Sequence, residues 1–553
     1  MKIYIFNINK IFFWLIIAVF STNSVYSQQD SMKKRTVLIT SIFKPVLKEA
    51  AKINLTATPA SVDTSKPKLN YNIPNQNLLF PYSPASIKPL ALEIDLGGVW
   101  QLSNSIKAGF GNLKSPLLQA GFSFGDGIKK GLQIFSNHIS STSKNGFQNY
   151  NETKIGASGF YTLQANHELH LKFEISRNNY DHLTSNTLSS NVQQRFLSWN
   201  TNFGYRNKNP TRYGVIYHPE ISAFIFNDYA IAKSKEQHIK IVLPFEKQVG
   251  KSFAVNLSGN IDFINYENEA IATSTNTVFS VNPSVHLKTP KLNLRVGIRP
   301  TWDNQTFKFF PDISAEVSTD DSRFVFQAGW IGTAQVNSYQ NLTSKNQWVQ
   351  APYQLRNTWK EERYAGFRGS VGKHINYSTK LKFNKFHQLP LFDPQRIWTM
   401  PPKIYNILFE PTASMFQINA EFGYTVQEKL SILATVNHYQ YAQLAINKKP
   451  LGLIPFELKA AFRLKVGKDV WLSSDLIGWK GADFRSSPTE YMQLKGALDV
   501  KAGVEYRMAQ KINIWVQCNN ILNQDLQRWN LFPSYYGFNF VAGVIFAFDK
   551  NKK

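Results

Sequence analysis

The sequence predicts an all-β protein, a transmembrane antiparallel β-barrel of about 22 strands, and three observations carry that expectation. Bulky apolar residues recur at every second position in long runs, as at Phe538, Phe540, Ala542, Val544, Phe546 and Phe548, with Asn539, Val541, Gly543, Ile545 and Ala547 between them. A strand has a side-chain period of two, so this is a strand with one oily aromatic face. The chain also carries 41 Phe, 24 Tyr and 12 Trp at a mean hydropathy of −0.28. Apolar residues spread thinly and alternated with polar ones give that combination, which is how membrane barrels are written. Finally, short turns rich in Gly, Asn, Asp, Pro and Lys punctuate the runs.

The N-terminus reads as a compartment signal. Lys2 and Lys10 precede the apolar run Ile11 to Phe20, and Val25 and Ser27 are placed as small residues before a cut, so residues 1–27 form a secretory signal peptide. No later stretch approaches the roughly 18 continuous apolar residues of a spanning helix, which leaves strands as the means of crossing. The lone Cys518 permits no internal disulfide.

Residues 28–95 read as an irregular periplasmic segment. The run Thr36 to Asn54 reads as a short strand followed by a helical turn opened by Pro45, and it leads into Pro59, Pro67, Pro74, Pro81, Pro84 and Pro89, a spacing that forbids long helices and central strands alike and leaves a flexible linker as the other reading of the segment.

Residues 96–548 repeat one theme, with a basic tail at 549–553. In "SFAVNLSGNIDF" the outward set is Phe253, Val255, Leu257, Gly259, Ile261 and Phe263, and the inward set is Ser252, Ala254, Asn256, Ser258, Asn260 and Asp262. "MQLKGALDVKAGVEYRM" keeps the rhythm for 17 residues, placing Gln493, Lys495, Asp499, Lys501, Glu505 and Arg507 on the inner face. Strands this long fit a bilayer crossing of about 9 to 11 residues that continues into solvent. Ten tight junctions, "GDGIKK", "ANHELH", "RNKNPT", "KQVGKS", "KTPKL", "STDDS", "GKHINYS", "TVQEKL", "KVGKDV" and "RMAQKI", each join two such runs. Longer connections alternate with them, notably Asn337 to Glu361, Pro390 to Ala413 and Ala445 to Pro455. Ten hairpins plus an opening strand near Ser103 to Asn112 and a closing strand at Gly537 to Phe548 give about 22 strands with both ends in the periplasm. The last strand is then expected to close against the first, because every backbone polar group must be paired inside the bilayer.

The ending Gly543, Val544, Ile545, Phe546, Ala547, Phe548 resembles the C-terminal signal that outer-membrane barrels present to the barrel-assembly machinery, with Gly543, Phe546 and Phe548 as its marked positions. "NNILNQ" (Asn519 to Gln524) and "LFPSYYGFNFVAGVIFAF" (Leu531 to Phe548) resemble the last two strands of TonB-dependent receptors. "FKPVLKEAAKIN", "PKLNYNI" and "IKAGFGNLKSPLL" look more specifically like a Bacteroidetes-type set of receptor-like barrels that lack a plug. The resemblance implies a 22-stranded barrel of the outer membrane and a transport-type role. The departure from true receptors is the short stretch before Ser103, which leaves no room for a plug domain. "TVLITS" (Thr36 to Ser41) resembles the short box that contacts TonB, but without a plug there is nothing for TonB to pull, and that contact is doubtful.

The remaining readings concern chemistry and partners. The ten histidines, among them His167, His170, His218, His286 and His374, fall on different strands with no HExxH, no paired Cys/His spacing and no phosphate loop, so neither enzyme activity nor a cofactor or metal is expected. His167 and His170 are three apart, which puts them on opposite faces of a strand. The net charge of +25 suits contacts with lipopolysaccharide phosphates at the rim or a lumen lined by cations, with no nucleic-acid partner expected. Two functions stay open: passage of a solute, or a non-transporting envelope component. In the second, the segment containing Thr36, Val37, Ile39, Phe43, Pro45 and Ile53 docks a periplasmic or envelope partner by strand addition.

Overall fold

The structure, a computed structural model, describes residues 104–548 except 145, 164–165, 184–190, 230–232, 270, 320–322, 395–404, 428, 488, 531 and 533–535. The expected signal peptide, the proline-rich segment with the expected docking residues Thr36, Val37, Ile39, Phe43, Pro45 and Ile53, the stretch on which the expected lack of a plug rests, and the basic tail all lie outside the described residues.

The alternation expected of membrane strands becomes one closed antiparallel sheet. Neighbours in sequence pair in turn, from Ser105–Gly111 against Ser115–Gly125 to Ile512–Asn519 against Asn539–Ala547. The last strand then pairs with the first, Ser105 opposite Ala547 and Gly111 opposite Val541, so the sheet has no free edge. Its 23 strands make 22 passes, because Val215–Tyr217 and Glu220–Asp228 share one pass, broken at His218 and Pro219. Both pieces pair with Ser234–Val249, whereas Asn191–Asn207 on the other side pairs with Glu220–Asp228 alone.

Side chains sort by face as the period of two dictates. Phe253, Val255, Leu257 and Phe263 are exposed on the outside of their strand, while Ala254, Ile264 and Tyr266 are buried on the inside. The outward positions turn polar at Asn265 and Glu267, so the apolar belt covers about 11 residues, the length of one bilayer crossing. Longer strands stand clear of that belt: Ile375–Pro394 has 20 residues and Tyr405–Val426 has 22.

The strand ends joined by the ten short junctions read from the sequence all lie at one end of the barrel, the end that also carries Ser105 and Ala547. A representative turn shows why they hold. Asp126 Oδ1 accepts the N–H groups of Ile128, Lys129 and Lys130 at 2.9, 2.7 and 2.9 Å, and Gly125 and Gly127 take the positive φ values of 112° and 70° that the bend requires. The backbone N–H groups, with that of Lys130 foremost, hold the Asp126 carboxyl down to about 2.

Two expectations about the other end are corrected. Pro390 to Ala413 is not one long loop, because the strands on either side run up to Pro394 and resume at Tyr405; extended pairing such as Leu391 with Leu408 continues above the belt. "MQLKGALDVKAGVEYRM" is not one strand either. Tyr491–Gln493 pairs with Asp483–Arg485 in a separate small hairpin, and the barrel strand begins at Ala497, so Gln493 and Lys495 do not line its inner face. Period alone could not show this, since Gly496 interrupts the pairing without interrupting the alternation.

The closing seam is built on glycines. Gly543 faces Gly109 on one side and Trp515 on the other, and the Trp515 indole, 3% exposed, spreads across this row with Lys107 Nζ 4.0 Å from its ring centre. A Cβ on Gly109 would come within 2.5 Å of Trp515 Cζ2 and 2.8 Å of the Ala542 carbonyl oxygen. Gly109→Val is therefore expected to destabilise the closure by about 1–3 kcal/mol and to lower the fraction of heat-modifiable barrel on gels. Gly121→Ala, whose added carbon meets nothing within 4 Å, is the control expected to leave that fraction unchanged.

Candidate functional site

The site is the mouth of the barrel at its long-loop end, where residues 336–357 fold inward. The segment starts with a stapled turn: Asn337 Nδ2 donates to Thr358 Oγ1 at 2.7 Å and to the Arg356 carbonyl at 2.9 Å, which ties its two ends together. Ser338 caps the short helix Tyr339–Lys345 by accepting from the Asn341 N–H at 3.1 Å.

Two carboxylates of the wall hold that helix. Glu236 accepts the Tyr339 N–H and lies 3.4 Å from the Gln340 N–H, and Asp228 accepts the Tyr339 hydroxyl at 2.6 Å. Both carboxylates are 1% exposed, so these bonds work in a low dielectric. Burial, with the Asp228 carboxylate beside it, pushes the Tyr339 hydroxyl well above its usual range, and it stays a donor.

Apolar packing completes the anchorage. Tyr339 and Leu342 bury against Val192, Phe196, Phe226, Ile264 and Tyr266. Farther along the segment, Trp348 stacks flat on Phe532 at 4.1 Å, and Val349 bridges to Tyr405. The strands at residues 191–268 and the elements carrying Tyr405 and Phe532 are far apart around the barrel. A segment touching both runs as a chord across the mouth. A second connection, 443–455, is pinned beside it by Glu410, which accepts the N–H groups of Ile446 and Asn447 at 2.6 and 3.2 Å.

Below the chord the inner wall is charged and mostly paired. Asp312 meets Arg295 at 2.9 Å and Arg299 at 3.8 Å, Glu316 meets Arg368 at 3.1 Å, Asp475 meets Arg463 at 2.7 Å, and Glu168 meets Arg206 at 2.6 Å and Lys208 at 2.9 Å. Of the inner-face charges read from the sequence, Asp499 and Lys501 lie 3.8 Å apart and Glu505 accepts from Asn513. The lumen is thus lined by interleaved charges of both signs. A polar hollow of about 400 Å³ bounded by Asn149, Asn151, Arg177 and Arg195 sits instead on outward positions of the rim.

The marked positions of the last strand separate by face. Phe546 and Phe548 point outward at 39% and 38% exposure with their rings 4.6 Å apart, whereas Gly543 faces the lumen in the seam. Sequence reasoning found the strand but not the reason for its glycine.

It also missed a convergence of histidines. His167 and His170 do point to opposite faces: His167 stacks on Tyr205 at 5.3 Å, while His170 lies inside with His218 and Glu220. These three are the one group of potential metal ligands among the described residues. The signal in the sequence was only a His-Pro-Glu run at 218–220, and nothing local ties it to residue 170.

Comparison with known proteins then decides the architecture. No family model matches the sequence, and no curated protein matches it. Solved structures do. The FrpB iron transporter from Neisseria meningitidis superposes with a TM-score of 0.62 at 10% identity, covering 82% of this chain and 82% of its own. The fold is that of a TonB-dependent receptor barrel. The siderophore receptor PirA from Acinetobacter baumannii gives a TM-score of 0.61 at 8% identity, with 81% of each chain covered. The copper transporter OprC gives 0.59 at 11% identity, with 80% of each covered. Identity this low makes the likeness one of receptor-barrel fold, carried by strand number and closure.

Proposed function

We propose that this protein is an outer-membrane transport barrel that passes a polar solute, with residues 336–357 as its restriction. The observation that carries this reading is the chord across the mouth of a charged lumen, held by Glu236 and Asp228. The fold agrees with it, since the neighbouring structures include proteins described as transporters. In this reading the long-loop end faces outward and the short-turn end faces the periplasm, as is usual for such barrels. The rim arginines Arg177 and Arg195 then meet lipopolysaccharide phosphates, and Phe546 and Phe548 mark the strand for the assembly machinery.

The anchor is the point to test. Each charge-assisted hydrogen bond contributes about 1.5–3 kcal/mol, so Glu236→Ala with Asp228→Ala removes enough to loosen the helix while the barrel strands remain paired. Planar-bilayer conductance is expected to rise several-fold over the intact protein, with new protease cleavage within 339–345. An unchanged conductance together with an unchanged cleavage pattern would reject the restriction.

A further inference from the structure

We propose that the lumen wall holds a site for a borderline divalent transition-metal cation of the Zn²⁺ class, ligated by His170, His218 and Glu220. The three donor atoms lie within 4.8 Å of one another. His218 Nε2 is 3.1 Å and His170 Nε2 3.9 Å from Glu220 Oε1, and the two imidazole centres are 5.0 Å apart. Tetrahedral ligands at about 2.0–2.1 Å from zinc stand roughly 3.3 Å from one another. The observed separations bracket that value, and small rotamer adjustments close the difference.

The fold prepares this arrangement in three ways. His218 and Glu220 are two residues apart and so share the lumen face of the seventh pass, the face that His170 takes on its own strand, and the break at His218 and Pro219 falls between the two strand pieces there. Gly204 stands opposite His170 in the intervening strand, and a Cβ there would overlap the imidazole, so the glycine is what lets the ring lie across the sheet toward Glu220. His218 Nε2 is shielded from solvent and makes no aligned hydrogen bond, despite its closeness to Glu220. A shielded ring nitrogen without a hydrogen bond is costly unless something else occupies it.

The surroundings suit a cation as well. Asn202 Nδ2 reaches Glu220 Oε2 at 3.4 Å and Ser222 Oγ at 2.9 Å, which orients the carboxylate from behind. The nearby positive charges of Arg206 and Lys208 are both taken up by Glu168. Two imidazoles and one carboxylate form a donor set that suits zinc, copper or nickel and is too nitrogen-rich for calcium or magnesium. Three protein ligands leave a coordination position open toward the lumen.

The test uses the full-length protein, purified without a histidine tag and refolded or extracted in detergent, with Zn²⁺ added alone. Isothermal titration is expected to show one high-affinity Zn²⁺ per chain that excess Mg²⁺ or Ca²⁺ does not displace. His170→Ala, His218→Ala and Glu220→Gln should each weaken it by at least about 10- to 100-fold, while heat-modifiable migration stays as in the parent. Wild-type affinity in the His170→Ala, His218→Ala double variant would overturn the site. Because a variant can fail to fold, Co²⁺ loading of the parent protein gives a second reading. Intense visible absorption of a four- or five-coordinate ion supports the site, and the weak spectrum of hydrated six-coordinate Co²⁺ overturns it.

Discussion

Replacing Phe546 and Phe548 together with aspartate is expected to remove the barrel from the outer-membrane fraction. Both rings lie on the outer face of the closing strand, Phe546 between Ile106 and Ile512, and Phe548 within 5.9 Å of Phe122 across the first strand. They therefore form part of the belt over the one junction that joins the two ends of the sheet. Each lost phenylalanine gives up about 1.5–3 kcal/mol of apolar burial, and each carboxylate against lipid near the interface costs on the order of 1 kcal/mol more. Together these are comparable to the whole stability of an ordinary domain, about 5–15 kcal/mol. Because the closing pairs are lost with them, an open sheet with two bare edges results, which the bilayer does not tolerate. Fractionation with heat-modifiability on gels is the measurement. Parental levels of folded double variant in the membrane would contradict the assigned face and its role in closure.

Excising residues 339–355, so that Ser338 joins Arg356, is expected to turn a nearly silent barrel into one with a large steady conductance. A 22-pass barrel encloses a lumen wide enough for water once nothing spans it. The rise should be roughly tenfold or more in planar bilayers, larger than that from loosening Glu236 and Asp228, because the apolar contacts of Trp348 and Leu342 go as well. The barrel itself should survive, since the ends of the segment are stapled by Asn337 to Thr358 and that pair is kept. An excised variant that inserts and yet stays closed would show that the chord is not the restriction.

The legible part of this molecule was the part written in nearest neighbours. The outward set Phe253 to Phe263, the ten short turns and the approximate strand number follow from a period of two and from turn chemistry, both of which act over a few residues. The overextended reading of Gln493 and Lys495 failed at that same range. A glycine at 496 leaves the alternation intact while the backbone leaves the sheet, and only pairing partners reveal the departure.

The features that bear on function depend on residues distant in the chain. Glu236 and Tyr339 are 103 positions apart, and His170 and His218 meet only because Gly204 clears the strand between them. Gly543 looked like one letter of a terminal signal, yet its place is fixed by Trp515 on the neighbouring strand and by Gly109, which it meets only when the barrel closes. The sequence by itself thus determined the solvent of each face, because the bilayer imposes a rule on every second residue. Tertiary structure alone decided what crosses the mouth and which inward side chains meet, because closing the sheet sets distances that no local pattern encodes.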